Sequence, residues 1–226
     1  MKLRQKVAAE LVGSAFLVAA VIGSGVAASR LSPHDVGLQL LENSVVTGAV
    51  LVALILALHP VSASFNPVIT VLERLLGAIS TRVAAALVAA QLTGAAVGAV
   101  VANVMFDLPA VSGAQHVRSG AGVWLGEVVA TLGLVVVVFG TLHGADSSRV
   151  AFAVGGYITG AYWFTSSTSF ANPAVTVART LSDTFAGIAP VSVPAFVLAQ
   201  LLGGAAGLGL VALLHPRRRE AETSLT

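Results

Sequence analysis

The stretch SFNPVITV, residues 64–71, returns as FANPAVTV at residues 170–177. A single Asn-Pro pair marks a turn or a helix start and says little more. Two copies of Asn-Pro followed by a small or branched apolar residue and Thr-Val, one in each half of the chain, ask for a common structural cause. Proline is favoured at the first position of a helix, and asparagine just before it is a good N-cap. Each copy therefore predicts a helix of roughly ten residues, about 15 Å long. That is half the thickness of a ~30 Å hydrocarbon core.

The setting of both copies is a membrane protein. Of 226 residues only 10% are charged, where a soluble domain carries about 25%, and the mean hydropathy is +0.92. Apolar runs at 11–29, 45–58, 83–106, 123–142, 150–164 and 193–214 approach the ~17–25 residues a spanning helix needs. Ser44, Thr47, Thr165 and Ser166 extend the two short runs. The expected architecture is all-α, with six transmembrane helices plus two half-helices in one membrane channel domain over 1–226. Residues 1–29 could imitate a signal peptide, with Lys2, Arg4 and Lys6 ahead of an apolar stretch. The run is longer than a signal core and has a counterpart at 123–142, so a retained first span is the better reading.

With six spans and cytoplasmic termini, the cytoplasmic side receives Lys2, Arg4, Lys6, Arg74, Arg82, Arg149, Arg217, Arg218 and Arg219. The other side receives Arg30, Arg118 and Arg179. This asymmetry follows the positive-inside rule and accounts for the basic pI near 9.5 without nucleic acid as a partner. The expected location is a bacterial inner membrane, crossed several times, with both termini cytoplasmic. The chain has no cysteine, so thiolate metal sites and disulfides are excluded; no metal or other cofactor is expected.

The halves match beyond the two boxes. AELVGS at 9–14 parallels GEVVAT at 126–131, and AQLTGAAVG at 90–98 parallels AQLLGGAAG at 199–207. Repeat one covers about 7–106 and repeat two about 120–214, followed by a cytoplasmic tail at 215–226. Three spans per repeat invert the second copy in the membrane, and inverted repeats place their site at the repeat interface near the bilayer midplane. Gly94 with Gly98, and Gly203 with Gly207, read as small residues one turn apart that let helices approach closely. Glu10 and Glu127, acids in or beside apolar segments, read as structural supports accepting hydrogen bonds from loop backbone near helix ends.

Two inverted half-helices can enter from opposite faces and meet at their N-termini. Irregular backbone at that depth is tolerable only when buried in protein or lining a watery cavity, so the boxes imply a pore. Each N-terminus carries roughly half a positive charge, which repels cations at the midplane. Asn66 and Asn172 can donate to whatever passes there. Such half-helix dipoles are a known means of excluding protons and cations.

The duplicated Asn-Pro box, the early glutamate in each half and the six-span repeat resemble the aquaporin, or major intrinsic protein, family over roughly residues 7–214. The resemblance implies a homotetramer of independent pores in the lipid bilayer, passing water or small neutral solutes. It also implies that Asn66, Pro67 and Val68, with Asn172, Pro173 and Ala174, are the pore boxes, Val68 replacing the usual alanine. Most of the family has arginine directly after the second box. Here that position is Val175, and Arg179 lies one turn further on. Carried over by spacing, the other constriction positions are Thr47 (or its neighbour Val46), Gly160 and Ser169. None is aromatic or charged, which implies a wide, weakly polar constriction. The segment NPAVTVARTLSDTFAGIAP resembles aquaglyceroporin-like bacterial members linked to arsenic resistance, which implies glycerol-like polyols, urea and neutral metalloid acids such as trivalent arsenic acid as solutes.

Other classes fit less well. There is no H-E-x-x-H, no G-x-S-x-G and no paired carboxylates at helical spacing, so an enzyme is not expected. His59, His116 and His143 fall on or near loops and span ends, although His59 could line the inner vestibule. A secondary carrier with broken helices shares the inverted repeat but normally needs an ionisable or ion-coordinating midplane residue, which both boxes lack. A strict water channel remains the narrower alternative.

Overall fold

The computed structural model describes residues 1–142 and 148–215. His143 and the tail beyond residue 215 lie outside the described residues. The chain order is α1 (Leu3–Leu31), α2 (Val36–Leu58), α3 (Pro67–Leu75), α4 (Thr81–Met105), α5 (Ala121–Leu142), α6 (Ser148–Phe164), α7 (Pro173–Ala178) and α8 (Val193–Leu214), with 3₁₀ turns at Arg179–Leu181 and Pro190–Ser192. The fold is all-α, with no strand among the described residues. Five of the long helices are long and apolar enough to cross a membrane. The sixth, α6, has 17 residues, about 25 Å at 1.5 Å per residue, the short end of the spanning range.

α2 begins nine residues before its apolar run at 45–58. Asp35 caps it, accepting from the Leu38 N–H at 2.9 Å, and its first turns carry Gln39, Asn43 and Ser44, all buried. Gln39 donates to the Ser32 carbonyl, and Asn43 to the Val21 carbonyl and to Ser24. A run of apolar residues cannot reveal such a start, because Gln39 and Asn43 face the α1 side and Ser44 faces Trp163 of α6 rather than lipid.

Small residues set the helix crossings. α1 packs on α4 and α5 on α8. A Cβ added to Gly94 or Gly98 would stand 2.1 Å from the Leu11 or Ala15 carbonyl oxygen, and one on Gly203 or Gly207 would stand 2.4 or 2.8 Å from that of Val128 or Leu132. Only glycine permits that approach. Between the halves, α2 crosses α6 at a reciprocal pair, Gly48 and Gly155, each hard against the other's carbonyl oxygen. The α1–α4 and α5–α8 pairs and this central crossing enclose the space into which α3 and α7 project. Large apolar side chains such as Phe16, Phe152 and Leu198 are exposed on the flanks, as a surface bathed in lipid allows.

Candidate functional site

The two half-helices start where the boxes place them. Asn66 caps α3, its Oδ1 accepting from the Val68 N–H at 2.9 Å. Asn172 caps α7, accepting from Ala174 at 2.9 Å and Val175 at 3.3 Å. Pro67 and Pro173 occupy the first helical turn. α3 has nine residues. α7 has only six, shorter than the sequence implies, because the chain tightens into the 3₁₀ turn at Arg179.

The boxes are cross-linked. Asn66 Nδ2 donates to the Ala171 carbonyl, and Asn172 Nδ2 donates to the Phe65 carbonyl, both at 2.7 Å. Each amide has a second N–H, and both asparagines line one cavity of about 270 Å³. The cavity runs from Lys6, His59 and Glu73 at the end near the N-terminus, past Asn66 and Asn172, to Thr47, Tyr162 and Arg179 at the opposite mouth. Its walls are stripes four residues apart: Thr47, Leu51 and Ile55 on α2 with His59 just past its end, and Val150, Val154, Ile158 and Tyr162 on α6.

Glu10 and Glu127 do not line the cavity; they lie behind the segments that do. Glu10 accepts from the Ser64 N–H at 2.9 Å, the Phe65 N–H at 2.7 Å, the Ser62 hydroxyl and Gln91 Nε2. Glu127 accepts from the Phe170 N–H at 2.8 Å, the Ala171 N–H at 2.9 Å and Gln200 Nε2. Both glutamines also donate to box threonines, Gln91 to Thr70 and Gln200 to Thr176, each at 2.8 Å. The peptides here are trans, so an N–H turned toward a buried carboxylate turns the carbonyl of the same peptide the other way. The carbonyls of Ala63, Ser64, Ser169 and Phe170, all lining residues, therefore point to the cavity. The path offers a file of acceptors on one side and apolar side chains on the other, with amide donors midway.

The constriction positions need correction. Thr47 lines the cavity, whereas Val46 is exposed. Ser169 and Val175 line it too. Gly160 does not: it is exposed, with nothing within 4 Å of where a Cβ would stand, on the face of α6 turned away from the cavity. The phase of α6 presents Ile158 and Tyr162 instead, and the Tyr162 hydroxyl lies 3.2 Å from Thr47 Oγ1. Arg179 also lines the cavity. The mouth thus carries an aromatic hydroxyl and a guanidinium, contrary to the wide, weakly polar constriction implied by spacing. Beside it, burial first, and then the charges of Arg118 and Arg179, hold the His116 imidazole below its ordinary pKa.

The substitution in the first box has a partner. Val68 packs against Gly204 of α8, where a Cβ would come 2.5 Å from Val68 Cγ1. The matched position in the other repeat is Ala95, and the matched box residue there is Ala174. Gln91, Gln200, Thr70, Thr176 and Tyr162 are functional-site residues that the sequence reading passed over. The glutamines and threonines stood at equivalent places in the matched segments, which was the signal available for them.

The chain belongs to the major intrinsic protein family, whose family model matches residues 1–149. It is 45% identical over 218 residues to the aquaglyceroporin AqpS of Rhizobium meliloti (strain 1021), covering 96% of this chain and 93% of that protein. The X-ray structure of the aquaglyceroporin from Plasmodium falciparum has the same fold, with a TM-score of 0.70 at 16% identity over 93% of this chain and 96% of that one. The protein is a multi-pass membrane channel of this family, acting on small solutes.

Proposed function

We propose that the protein is a passive channel for water and small uncharged solutes, among them glycerol-like polyols, urea and neutral metalloid acids such as trivalent arsenic acid, and that it excludes protons and ions. The observation that carries this is the meeting of Asn66 and Asn172 in one cavity at the N-termini of opposed half-helices. Two helix dipoles converge there, and the adjoining Leu51, Ile55, Val154 and Ile158 offer a passing ion no counter-charge. The 45% identity to an aquaglyceroporin supports the polyol part of the reading. In this proposal both termini are cytoplasmic in a bacterial inner membrane, so Lys6, His59 and Glu73 mark the inner end and Arg179 the outer. The pores assemble as a homotetramer.

Purified protein in liposomes, read by stopped-flow light scattering, tests the proposal with water, glycerol, urea and trivalent arsenic and antimony acids. Rates should rise linearly with solute concentration, without counterflow and without proton leak. Saturation with counterflow would mean a carrier; water passage alone would mean a strict water channel.

A further inference from the structure

The residue after the second box is Val175, yet the outer mouth still holds a cation. The Arg179 N–H donates to the Val175 carbonyl, which places Arg179 one turn outward, about 6 Å along the axis. It is 2% exposed and lines the cavity. Its Nε donates to the Ala186 carbonyl, and its guanidinium carbon lies 3.5 Å from the centroid of the Phe170 ring. That ring is itself fixed: Phe196 meets it edge-on at 5.1 Å, and Arg118 lies over it at 5.2 Å while donating to the Gly187 and Phe185 carbonyls. Among the described residues no carboxylate pairs with Arg179.

The plainer reading makes Arg179 a staple for the 182–189 loop. One bond to Ala186 fits that, but a buried guanidinium serving only as a staple would leave its terminal nitrogens unmatched at considerable cost. Facing the cavity, those nitrogens can be satisfied by whatever passes. We propose that Arg179, not the residue following the box, is the specificity-determining cation of the outer constriction, and that it favours uncharged solutes presenting two neighbouring oxygens. A planar guanidinium whose Nε is already engaged keeps its terminal N–H groups in a fixed fork, suited to paired acceptors. Val175, Leu51 and Ile158 give the solute's carbon side an apolar wall. The assignment rests on the channel reading above.

The test compares wild type, Arg179→Val, Arg179→Lys and the exchange Val175→Arg/Arg179→Val in liposomes, with assembly checked by size exclusion. The readouts are the ratio of glycerol to acetamide flux, normalised to water flux in the same vesicles, and sodium leak. Loss of a charge-assisted hydrogen-bond pair should lower the ratio roughly tenfold in Arg179→Val and raise sodium leak, and the exchange should recover much of both. Arg179→Lys should keep sodium out but lose the ratio. If Arg179→Val does not assemble, Arg179→Lys decides: a ratio equal to wild type overturns the proposal. An assembled Arg179→Val with unchanged ratio and leak, or an exchange that recovers neither, also overturns it. Counterflow in wild type strikes the channel reading itself, whereas non-saturating wild-type flux with an unmoved ratio strikes only Arg179.

Discussion

Phe65 and Ala171 stand at φ +47° and +48°, and each gives its carbonyl to the asparagine that follows the other, at 2.7 Å. Non-glycine residues in that region cost on the order of 1–3 kcal/mol each. The strain aims each carbonyl across the junction, and each cross-bond holds the opposite helix start in place. The two halves are thus locked by a reciprocal pair where the starts of α3 and α7 meet.

Replacing Asn172 with Asp tests that junction. A carboxylate keeps the acceptor that caps α7 but loses the donor to Phe65, and it cancels part of the helix-terminal potential. The expected result is a stability loss of about 1–2 kcal/mol, lower glycerol flux and a measurable cation leak. Asn66→Asp should behave alike. Unchanged flux together with unchanged leak in assembled protein would remove the asparagines from the mechanism.

Glu127→Ala strands the N–H groups of Phe170 and Ala171 and leaves the Gln200 amide with Thr176 alone. Each buried donor left without a partner costs about 1–3 kcal/mol, so the midpoint of thermal unfolding in detergent should fall steeply. Glu127→Gln keeps acceptor capacity and should fall less. The same order is expected at Glu10, and equal midpoints for Ala and Gln would contradict the carboxylate's role as a backbone clamp.

Gly204→Ala should destabilise the protein because its Cβ meets Val68. Val68→Ala should relieve that clash, making the double variant more stable than the sum of the single effects predicts, by roughly 1 kcal/mol or more. Additive midpoints in detergent would show that α8 yields elsewhere.

The bias of basic residues predicts that a reporter fused after Thr226 stays in the cytoplasm. An active periplasmic reporter there would reverse the assigned inner and outer mouths.

The boxes were readable because Asn-Pro carries a backbone preference, a cap followed by a residue suited to the first helical turn, and its repetition in apolar surroundings turned that preference into a helix start. The Gly-xxx-Gly pairs were readable for a similar reason, since a missing side chain constrains helix spacing directly. The phase of α6 was not. In SRVAFAVGGYITGAYWF lipid and channel both accept apolar side chains, so hydropathy cannot tell the face of Gly160 from that of Tyr162. The start of α2 was hidden because Gln39 and Asn43 are polar yet buried against α1. The reach of Arg179 depends on the 3₁₀ turn that shortens α7, and no local motif announces that turn.

The reciprocal bonds between the boxes also impose an order on biosynthesis. When residues 64–75 leave the ribosome, the acceptor for Asn66 at Ala171 is about a hundred residues away and has not been made. The first re-entrant segment can find its Glu10 and Gln91 partners early, but its central donor must wait for the second repeat. A nascent chain arrested before residue 171 should therefore leave a probe cysteine at position 68 open to water-soluble thiol reagents, and extension through α8, whose Gly204 lies against that side chain, should protect it. Pore closure is thus a late event, set by the slowest-arriving partner rather than by membrane insertion.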